Sequence, residues 1–197
     1  MDLRWLIVAF GYALLGVAGA LLAVLANDAN PLWHPAPLLH LAAWARATCS
    51  IGLGALFAAL VVVLTRVLVA RATWARRLHE ALRPVSRHMS NPMIGVVAVM
   101  SAMGEEFFFR GFLTPWIGVI GQALIFGAMH QLPGSSRWWW MAWAALAGLV
   151  LGALYWTTGS LLGPILAHAL INAVNLAYLR DYDPVDRPTR LGGLLRT

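Results

Sequence analysis

The chain has 197 residues, of which 60% are hydrophobic and only 11% are charged, and this length is typical of one domain. Soluble domains carry about 25% charged residues, so the composition excludes an ordinary soluble protein and indicates a membrane protein. The net charge is +6, and all 14 basic residues are arginine. Because the arginines cluster between hydrophobic runs, we expect them to meet anionic lipid head groups, and we expect no nucleic-acid partner.

Long uncharged runs predict the membrane-spanning helices. They cover residues 5–26, 47–65, 111–136 and 138–179, and a helix needs about 20 apolar residues to cross the bilayer core. We therefore predict an all-α polytopic membrane protein, a bundle of about six transmembrane helices. Their predicted bounds are 4–26, 46–70, 92–113, 115–131, 138–157 and 160–180. The first run is longer than the apolar core of a signal peptide, so we expect an uncleaved helix there.

The segments between these helices suggest three regions. Residues 1–90 are predicted to form an N-terminal transmembrane hairpin followed by an Arg-rich cytoplasmic loop over 71–91, residues 91–180 a helical core, and residues 181–197 a polar tail. Arginine in short loops marks the cytoplasmic side of a membrane protein. The 71–91 loop, Arg137 and the tail contain arginine, whereas the 27–37 connection has none. Both termini are therefore predicted to be cytoplasmic.

A few ionisable residues interrupt the apolar second half of the chain. They are Glu105, Glu106, Arg110, His130 and His168, and Asn172 follows the last of them. Such residues are costly inside a bilayer, and they face the interior of a bundle, where they mark functional sites.

The spacing of these residues suggests separate tasks. Glu106 and Arg110 are four residues apart, so they share a helix face and can pair. Glu105 is rotated by about 100° from Glu106, which leaves it available for chemistry. A carboxylate and a histidine can take a proton from water. His168 and Asn172 share a face and can donate hydrogen bonds to an oxyanion.

A metal site is the alternative use of the same side chains. Glutamate with two histidines is a zinc ligand set, so Glu105, His130 and His168 could hold a divalent ion such as zinc. The residues do not require a metal for hydrolysis, and no cofactor is needed for the glutamate–water reaction. Cys49 is the only cysteine, so no intrachain disulfide can form and we expect no cysteine-based metal site.

Three short motifs resemble those of a known family. The strings EEFFFR at 105–110, FGAMH at 126–130 and HALIN at 168–172 resemble the EExxxR, FxxxH and HxxxN motifs of the CPBP family. That family comprises the CAAX prenyl proteases and the bacteriocin-processing (Abi) intramembrane proteases. The order and approximate separations match over about 90–180, so the resemblance implies a glutamate-dependent endopeptidase with its catalytic core in residues 91–180.

The resemblance also implies a role for each motif residue. Glu105 with His130 would activate the water, and His168 with Asn172 would form the oxyanion hole. The supporting residues would be Glu106, Arg110 and Phe126. The expected substrate is a membrane-associated protein or peptide, with a C-terminal anchor or sorting signal, a prenyl-CAAX-like tail or a bacteriocin-like sequence. The expected location is a bacterial inner membrane, and the oligomeric state stays open.

Two other functions remain open from the sequence. One is a non-catalytic bacteriocin-immunity or scaffold protein that keeps the polar residues for structure. The other is a small transporter or proton relay, for which glutamate and histidine in a bundle are also suited. Helix lengths place Glu105 and His168 at similar depths and His130 closer to the cytoplasm. From these depths we expect a site that opens outward.

Overall fold

The computed structural model describes residues 3–184. Its helices are α1 (Leu3–Asn27), α2 (Ala43–Arg71), α3 (Thr73–Ser86), α4 (Asn91–Glu105), a π-helical segment (Glu106–Leu113), α5 (Thr114–Met129), α6 (Arg137–Thr158) and α7 (Leu162–Asp181). The predicted fold class, an all-α bundle of about six helices, is confirmed. The predicted tail, 181–197, lies outside the described residues except for its first few positions.

Five helical segments are long and apolar enough to cross a membrane. They are Leu3–Asn27, Ala43–Arg71, Asn91–Met129, Arg137–Thr158 and Leu162–Asp181. Many of their leucine and isoleucine side chains are exposed, as expected for helices whose outer faces meet lipid tails. The third segment has 39 residues and contains two of the predicted helices.

The chain reverses direction within this third segment, at Gly118. Gly118 has φ 78° and ψ 170°, a conformation that glycine adopts far more readily than other residues. Beyond it, the Phe126 ring lies 4.9 Å from the Phe109 ring and 4.4 Å from the Arg110 guanidinium. The second half of α5 therefore runs back along the π-helical segment, and Asn91–Met129 is folded back on itself rather than straight.

The prediction of a loop over residues 71–91 is wrong for most of its length. Thr73–Ser86 forms α3, and Pro84 lies in its last turn. Ala75, Leu78 and His79 on one side of this helix are buried, whereas Arg77 and Glu80 are exposed. The helix thus has one buried face and one exposed, charged face. A helix of this kind lies along a membrane surface with its charges toward the head groups.

One end of the bundle, which we call the basic end, brings together α3, both chain ends and the starts of α4 and α6. Arg83 pairs with Asp183 at 2.7 Å, and Arg180 donates to the Met89 carbonyl at 3.0 Å. Trp5 near the start of α1 packs on the cluster that contains Met89. Residues 3 and 184 therefore lie at the same end of the bundle.

The opposite end is covered by residues 28–42, which we call the strap. The strap forms an isolated β-bridge between Trp33 and Ser160, and His34 N donates to the Gly159 carbonyl at 3.0 Å. The Tyr155 hydroxyl donates to the Pro31 carbonyl at 3.2 Å. These bonds fix the strap across the turn between α6 and α7.

The turn between α6 and α7 also sets the position of α7. Gly159 ends α6 with φ 74°, the left-handed conformation common after a helix. The Ser50 hydroxyl of α2 donates to the Ser160 carbonyl at 2.8 Å and accepts from Gly163 N at 3.0 Å. Gly163 near the start of α7 packs directly on α2. This contact at the strap end of the bundle fixes how far along the bundle His168 lies.

Candidate active site

The two glutamates lie where α4 passes into the π-helical segment. Single π-helical turns occur frequently at functional sites. Glu105 is 8% exposed, and Glu106 and Arg110 are fully buried. The predicted pairing of Glu106 with Arg110 is confirmed, because Arg110 Nη1 lies 2.8 Å from Glu106 Oε1. The π-helical geometry itself was not predicted from the sequence.

His168 on α7 lies between the two glutamates. Its Nδ1 is 2.7 Å from Glu106 Oε1, and its Nε2 is 3.8 Å from Glu105 Oε2. Because an ionised carboxylate only accepts hydrogen bonds, Nδ1 donates to Glu106, and Nε2 is the nitrogen that faces Glu105. The sequence grouped His168 with Asn172 and, in the zinc alternative, with Glu105 and His130, so its bond to Glu106 is a new feature.

Asn172 lies one turn beyond His168 and bonds to α4. Its Nδ2 donates to the Ser101 hydroxyl at 3.0 Å, and that hydroxyl donates to the Ala98 carbonyl at 3.3 Å. Ser101 was not singled out from the sequence. Its position four residues before Glu105, on the same face of α4, is the signal that could have found it.

His130 follows the last residue of α5 and packs among aromatic rings. Its Nδ1 lies 2.7 Å from the Phe126 carbonyl, so Nδ1 donates and Nε2 is left as an acceptor. Its ring lies 4.4 Å from the Phe126 ring and 5.4 Å from the Trp140 ring. Among the described residues 3–184, no hydrogen bond or ion pair joins His130 to Glu105. The imidazole that lies beside Glu105 is that of His168.

Phe126 sits at the centre of the three motifs. Its ring is 4.4 Å from the Arg110 guanidinium and 6.3 Å from the His168 ring. An aromatic face attracts a cation held over it, so Phe126 provides a favourable wall for the buried arginine. Phe126 therefore lies beside the polar residues of the site and contacts Arg110 directly.

The zinc site considered from the sequence does not fit this arrangement. In the described part of the chain, no group of three His, Cys, Asp or Glu side chains is arranged to hold a metal ion. Glu105 and His168 are neighbours, but His130 is held against Phe126 and Trp140.

Several buried polar atoms of the site have no hydrogen-bond partner. They are Glu105 Oε2, Glu106 Oε2, and Nε and Nη2 of Arg110. Leaving a buried polar atom unpaired costs about 1–3 kcal/mol, and more for a charged group. A catalytic role is one of the few explanations for unpaired buried atoms. Among these atoms, Glu105 Oε2 is the one that faces His168.

An apolar cavity reaches the site from the basic end. It is formed by α2, α3, α6 and α7, and its lining includes Trp74, Trp140 and Asn172. At the opposite end, Pro31 of the strap packs against Gly111 of the π-helical segment. The cavity thus leads to the site from the basic end, whereas the strap lies across the opposite end. The outward opening expected from helix lengths stays a prediction.

Comparison with known proteins agrees with the motifs. Residues 88–174 match the family described as type II CAAX prenyl endopeptidase Rce1-like. An uncharacterised protein, YpbD of Bacillus subtilis (strain 168), is 35% identical over 91 residues, which make up 46% of this chain and 48% of YpbD. The chain therefore spans about half the length of the curated relative that it matches.

No solved structure matches the chain. The matched segment, 88–174, holds all three motifs, and apolar helices long enough to cross a membrane surround it. The chain is thus an integral membrane protein. Residues 88–174, less than half of the chain, are similar to the Rce1-like family of type II CAAX prenyl endopeptidases.

Proposed function

We propose that the chain is an intramembrane endopeptidase in which Glu105 activates a water molecule to cleave a peptide bond. The observation that carries this proposal is that the two glutamates have different bonding partners. Glu106 accepts bonds from both Arg110 and His168, whereas Glu105 faces His168 Nε2 with an unpaired oxygen. The family supports a hydrolase of this class.

Glu105 is the proposed general base and then the proposed general acid. Its carboxylate takes a proton from water while the water oxygen bonds to the scissile carbonyl carbon, which gives a tetrahedral oxyanion. The bond from that carbon to nitrogen then breaks, and Glu105 returns the proton to the departing nitrogen. The products are a carboxylic acid and an amine, and the glutamate is ionised again. Positioned acid–base groups contribute about 10²–10⁴-fold to such rates.

The oxyanion needs hydrogen-bond donors, and His168 and Asn172 are the proposed ones. Since Nδ1 donates to Glu106, His168 can donate to the oxyanion from Nε2 only as the imidazolium. The proposed His168 therefore carries a proton on both nitrogens and directs Nε2 away from Glu106. Asn172 Nδ2 would exchange its bond to Ser101 for one to the same oxyanion. Removing one such donor typically costs about 10²–10³ in kcat. His130 Nε2 would orient the attacking water.

The proposed substrate is a membrane-associated protein or peptide. Its cleaved segment would be a C-terminal anchor or sorting signal, a prenyl-CAAX-like tail or a bacteriocin-like sequence. The apolar cavity that reaches Asn172 suits a lipid-like or apolar stretch beside the cleaved bond. The proposed location is a bacterial inner membrane, with the basic end and both chain termini on the cytoplasmic side. The arginines at the basic end support this orientation through the positive-inside rule.

The test is a comparison of membrane-protein termini in cells. The chain and its Glu105→Gln variant are expressed in the source organism after deletion of its own copy, and protein termini are mapped by mass spectrometry. We expect at least one new terminus that requires Glu105. The matched control is Glu80→Gln, which changes an exposed glutamate on α3 and should leave this terminus unchanged. Identical termini with wild type and Glu105→Gln, at equal protein levels, would overturn the proposal.

A further inference from the structure

We propose that Asn175 on α7 is a substrate-binding residue, whose side-chain amide donates a hydrogen bond to a backbone carbonyl of the substrate segment in the apolar cavity. The proposal rests on the proposed function and deepens it, because it makes the occupant of the cavity an extended polypeptide and not a lipid tail alone. Asn175 belongs to none of the three motifs and lies directly after the matched segment 88–174.

Arg66 of α2 fixes the orientation of the Asn175 side chain. Its Nη1 donates to Asn175 Oδ1 at 2.8 Å, and its Nη2 donates to the Val174 carbonyl at 3.2 Å. The guanidinium carbon also lies 3.6 Å from the centre of the Tyr178 ring. Because an arginine side chain has only donors, the oxygen of Asn175 faces Arg66, and the nitrogen, Nδ2, points the other way.

The Nδ2 group of Asn175 points toward the cavity. The lining of the cavity includes Asn175 but not Arg66, and among residues 3–184 Nδ2 has no hydrogen-bond partner. The hydroxyl of Thr65, another lining residue, instead donates to the Val61 carbonyl of its own helix at 2.8 Å. Asn175 therefore offers the cavity a polar donor that is held in one direction and is free to bond.

The position of Asn175 relative to Asn172 suits an extended peptide. Both side chains line the same cavity, and three residues of α-helix advance by about 4.5 Å. An extended chain repeats every two residues, or about 6.5 Å, so that carbonyls two residues apart point the same way. A substrate whose scissile carbonyl lies at Asn172 and whose chain follows α7 therefore brings a second carbonyl within reach of the Asn175 side chain.

A backbone carbonyl is the group that needs this donor. Much of the lining is apolar, including Leu68, Leu78 and Ile171, and a carbonyl buried against it loses its hydrogen bonds to water. A hydrocarbon tail has no such group and gains nothing from Asn175. The cavity thus fits an apolar peptide segment whose side chains contact the lining and whose carbonyl bonds to Nδ2.

Asn175→Asp tests the proposal, because it keeps an oxygen for Arg66 and removes the donor. Two probes are titrated into the detergent-solubilised protein: a blocked apolar hexapeptide that contains 4-bromophenylalanine, and 1-bromododecane, which has no carbonyl. Bromine quenches tryptophan fluorescence on contact, and Trp74 and Trp140 line the cavity. All proteins carry Glu105→Gln, so that the peptide stays intact.

The two probes should respond differently to Asn175→Asp. We expect the Kd of the peptide to rise about tenfold, since its carbonyl is left unpaired. The Kd of bromododecane should stay within about twofold, which also shows that the cavity is intact. The matched control is Thr65→Val, which removes a hydroxyl of the lining that is bonded within α2 and should leave both affinities unchanged.

A kinetic measurement extends the test to the active protein. With the substrate found by terminus mapping, Asn175→Asp should raise KM about tenfold and keep kcat within about threefold. This is the pattern of a residue that binds a part of the substrate that does not react. Thr65→Val should keep both constants.

Binding and cleavage can fail separately. If no new terminus requires Glu105, the proposed function fails, and peptide binding alone decides the role of Asn175. Equal peptide affinities with and without Asn175→Asp overturn the proposal, as does the absence of peptide binding to either protein. An equal loss of affinity for both probes, or an unchanged KM, also overturns it.

Discussion

Arg110 is the largest fully buried side chain among the described residues. Its guanidinium is fully buried, pairs with Glu106 at 2.8 Å and lies over the Phe126 ring. Glu106 in turn accepts from His168 Nδ1 at 2.7 Å. Arg110 therefore orients His168 indirectly, because it holds the carboxylate to which the imidazole is bonded.

Arg110→Ala should abolish cleavage and destabilise the protein. Removing one partner of a buried ion pair costs about 3–5 kcal/mol, since the other charge is left buried and unpaired. Cleavage assays and thermal unfolding in detergent measure the two effects. Arg77→Ala, at an exposed position of α3, is the control and should change neither. Full activity of Arg110→Ala at normal protein levels would contradict the role of this pair.

The sequence predicted those residue contacts that lie within one helix. Glu106 and Arg110 are four residues apart, so helical geometry alone brings them together. The contact of His168 with Glu106 crosses between helices. It depends on how deeply α7 packs into the bundle, which is fixed by contacts such as that of Gly163 with Ser50 that no local spacing reveals.

At the scale of elements, α1 is held against the site by its glycines. An added Cβ at Gly19 would come 2.6 Å from the Phe108 backbone, whereas one at Gly11 would meet nothing within 4 Å. Small residues permit such close helix approach in membrane proteins. The approach of α1 to the π-helical segment therefore depends on Gly19 and not on Gly11.

Gly19→Ala should destabilise the protein by about 1–3 kcal/mol, because overpacking forces the backbones of the two helices apart. It should also lower activity, since the Phe108 backbone that Gly19 contacts belongs to the same π-helical segment as Glu106 and Arg110. Gly11→Ala should stay within about 0.5 kcal/mol of wild type. Thermal unfolding in detergent checks both variants, and equal stabilities would show that α1 is not closely packed at Gly19.

A pH effect is expected at α3, outside the membrane-spanning segments. Burial lowers the pKa of His79, with a smaller opposing effect from its bond to the Tyr182 carbonyl. Since the folded pKa lies below that of the unfolded state, about 6.5, the docking of α3 is fully stable above that pH. It weakens as pH falls through the folded pKa.

Hydrogen exchange measures this effect on α3. After correction for the intrinsic rate, α3 amides should exchange faster at pH 5 than at pH 7 in wild type. His79→Gln, which keeps a donor but does not titrate, should show no such difference. If the corrected exchange rate of the α3 amides in wild type did not change with pH, protonation of His79 would not weaken the docking of α3.

The helices with the longest apolar runs were the easiest to predict. The ends of α6 and α7 lie within two residues of the predicted bounds 138–157 and 160–180. α3 was missed because its arginines and Pro84 were read as loop signals, although Ala75, Leu78 and His79 form a buried face. The π-helical segment has no local sequence code, since it arises from the packing of α1 and α5 around it.

At the scale of the whole molecule, the basic end and the strap define two opposite faces. α3, the starts of α4 and α6 and both chain ends meet at the basic end. The reversal at Gly118 folds the third of the five apolar segments back on itself, and residues 3 and 184 lie at the same end. Arginine counts then predict that this end is cytoplasmic.

Cysteine labelling tests this orientation. In a Cys49→Ser background, Ala36→Cys in the strap and Glu80→Cys in α3 each add one exposed thiol. A membrane-impermeant maleimide should label the strap thiol in intact cells, and the α3 thiol only after permeabilisation. The reverse pattern would put the basic end outside and would contradict the predicted topology.

The central claim is that Glu105 is the base that activates water. The most direct measurement is the cleavage rate constant of Glu105→Gln in proteoliposomes, on the peptide bond identified by terminus mapping, beside wild type and Glu80→Gln. We predict a fall of at least about 10²-fold for Glu105→Gln and wild-type cleavage for Glu80→Gln. Cleavage by Glu105→Gln within tenfold of wild type would contradict the account.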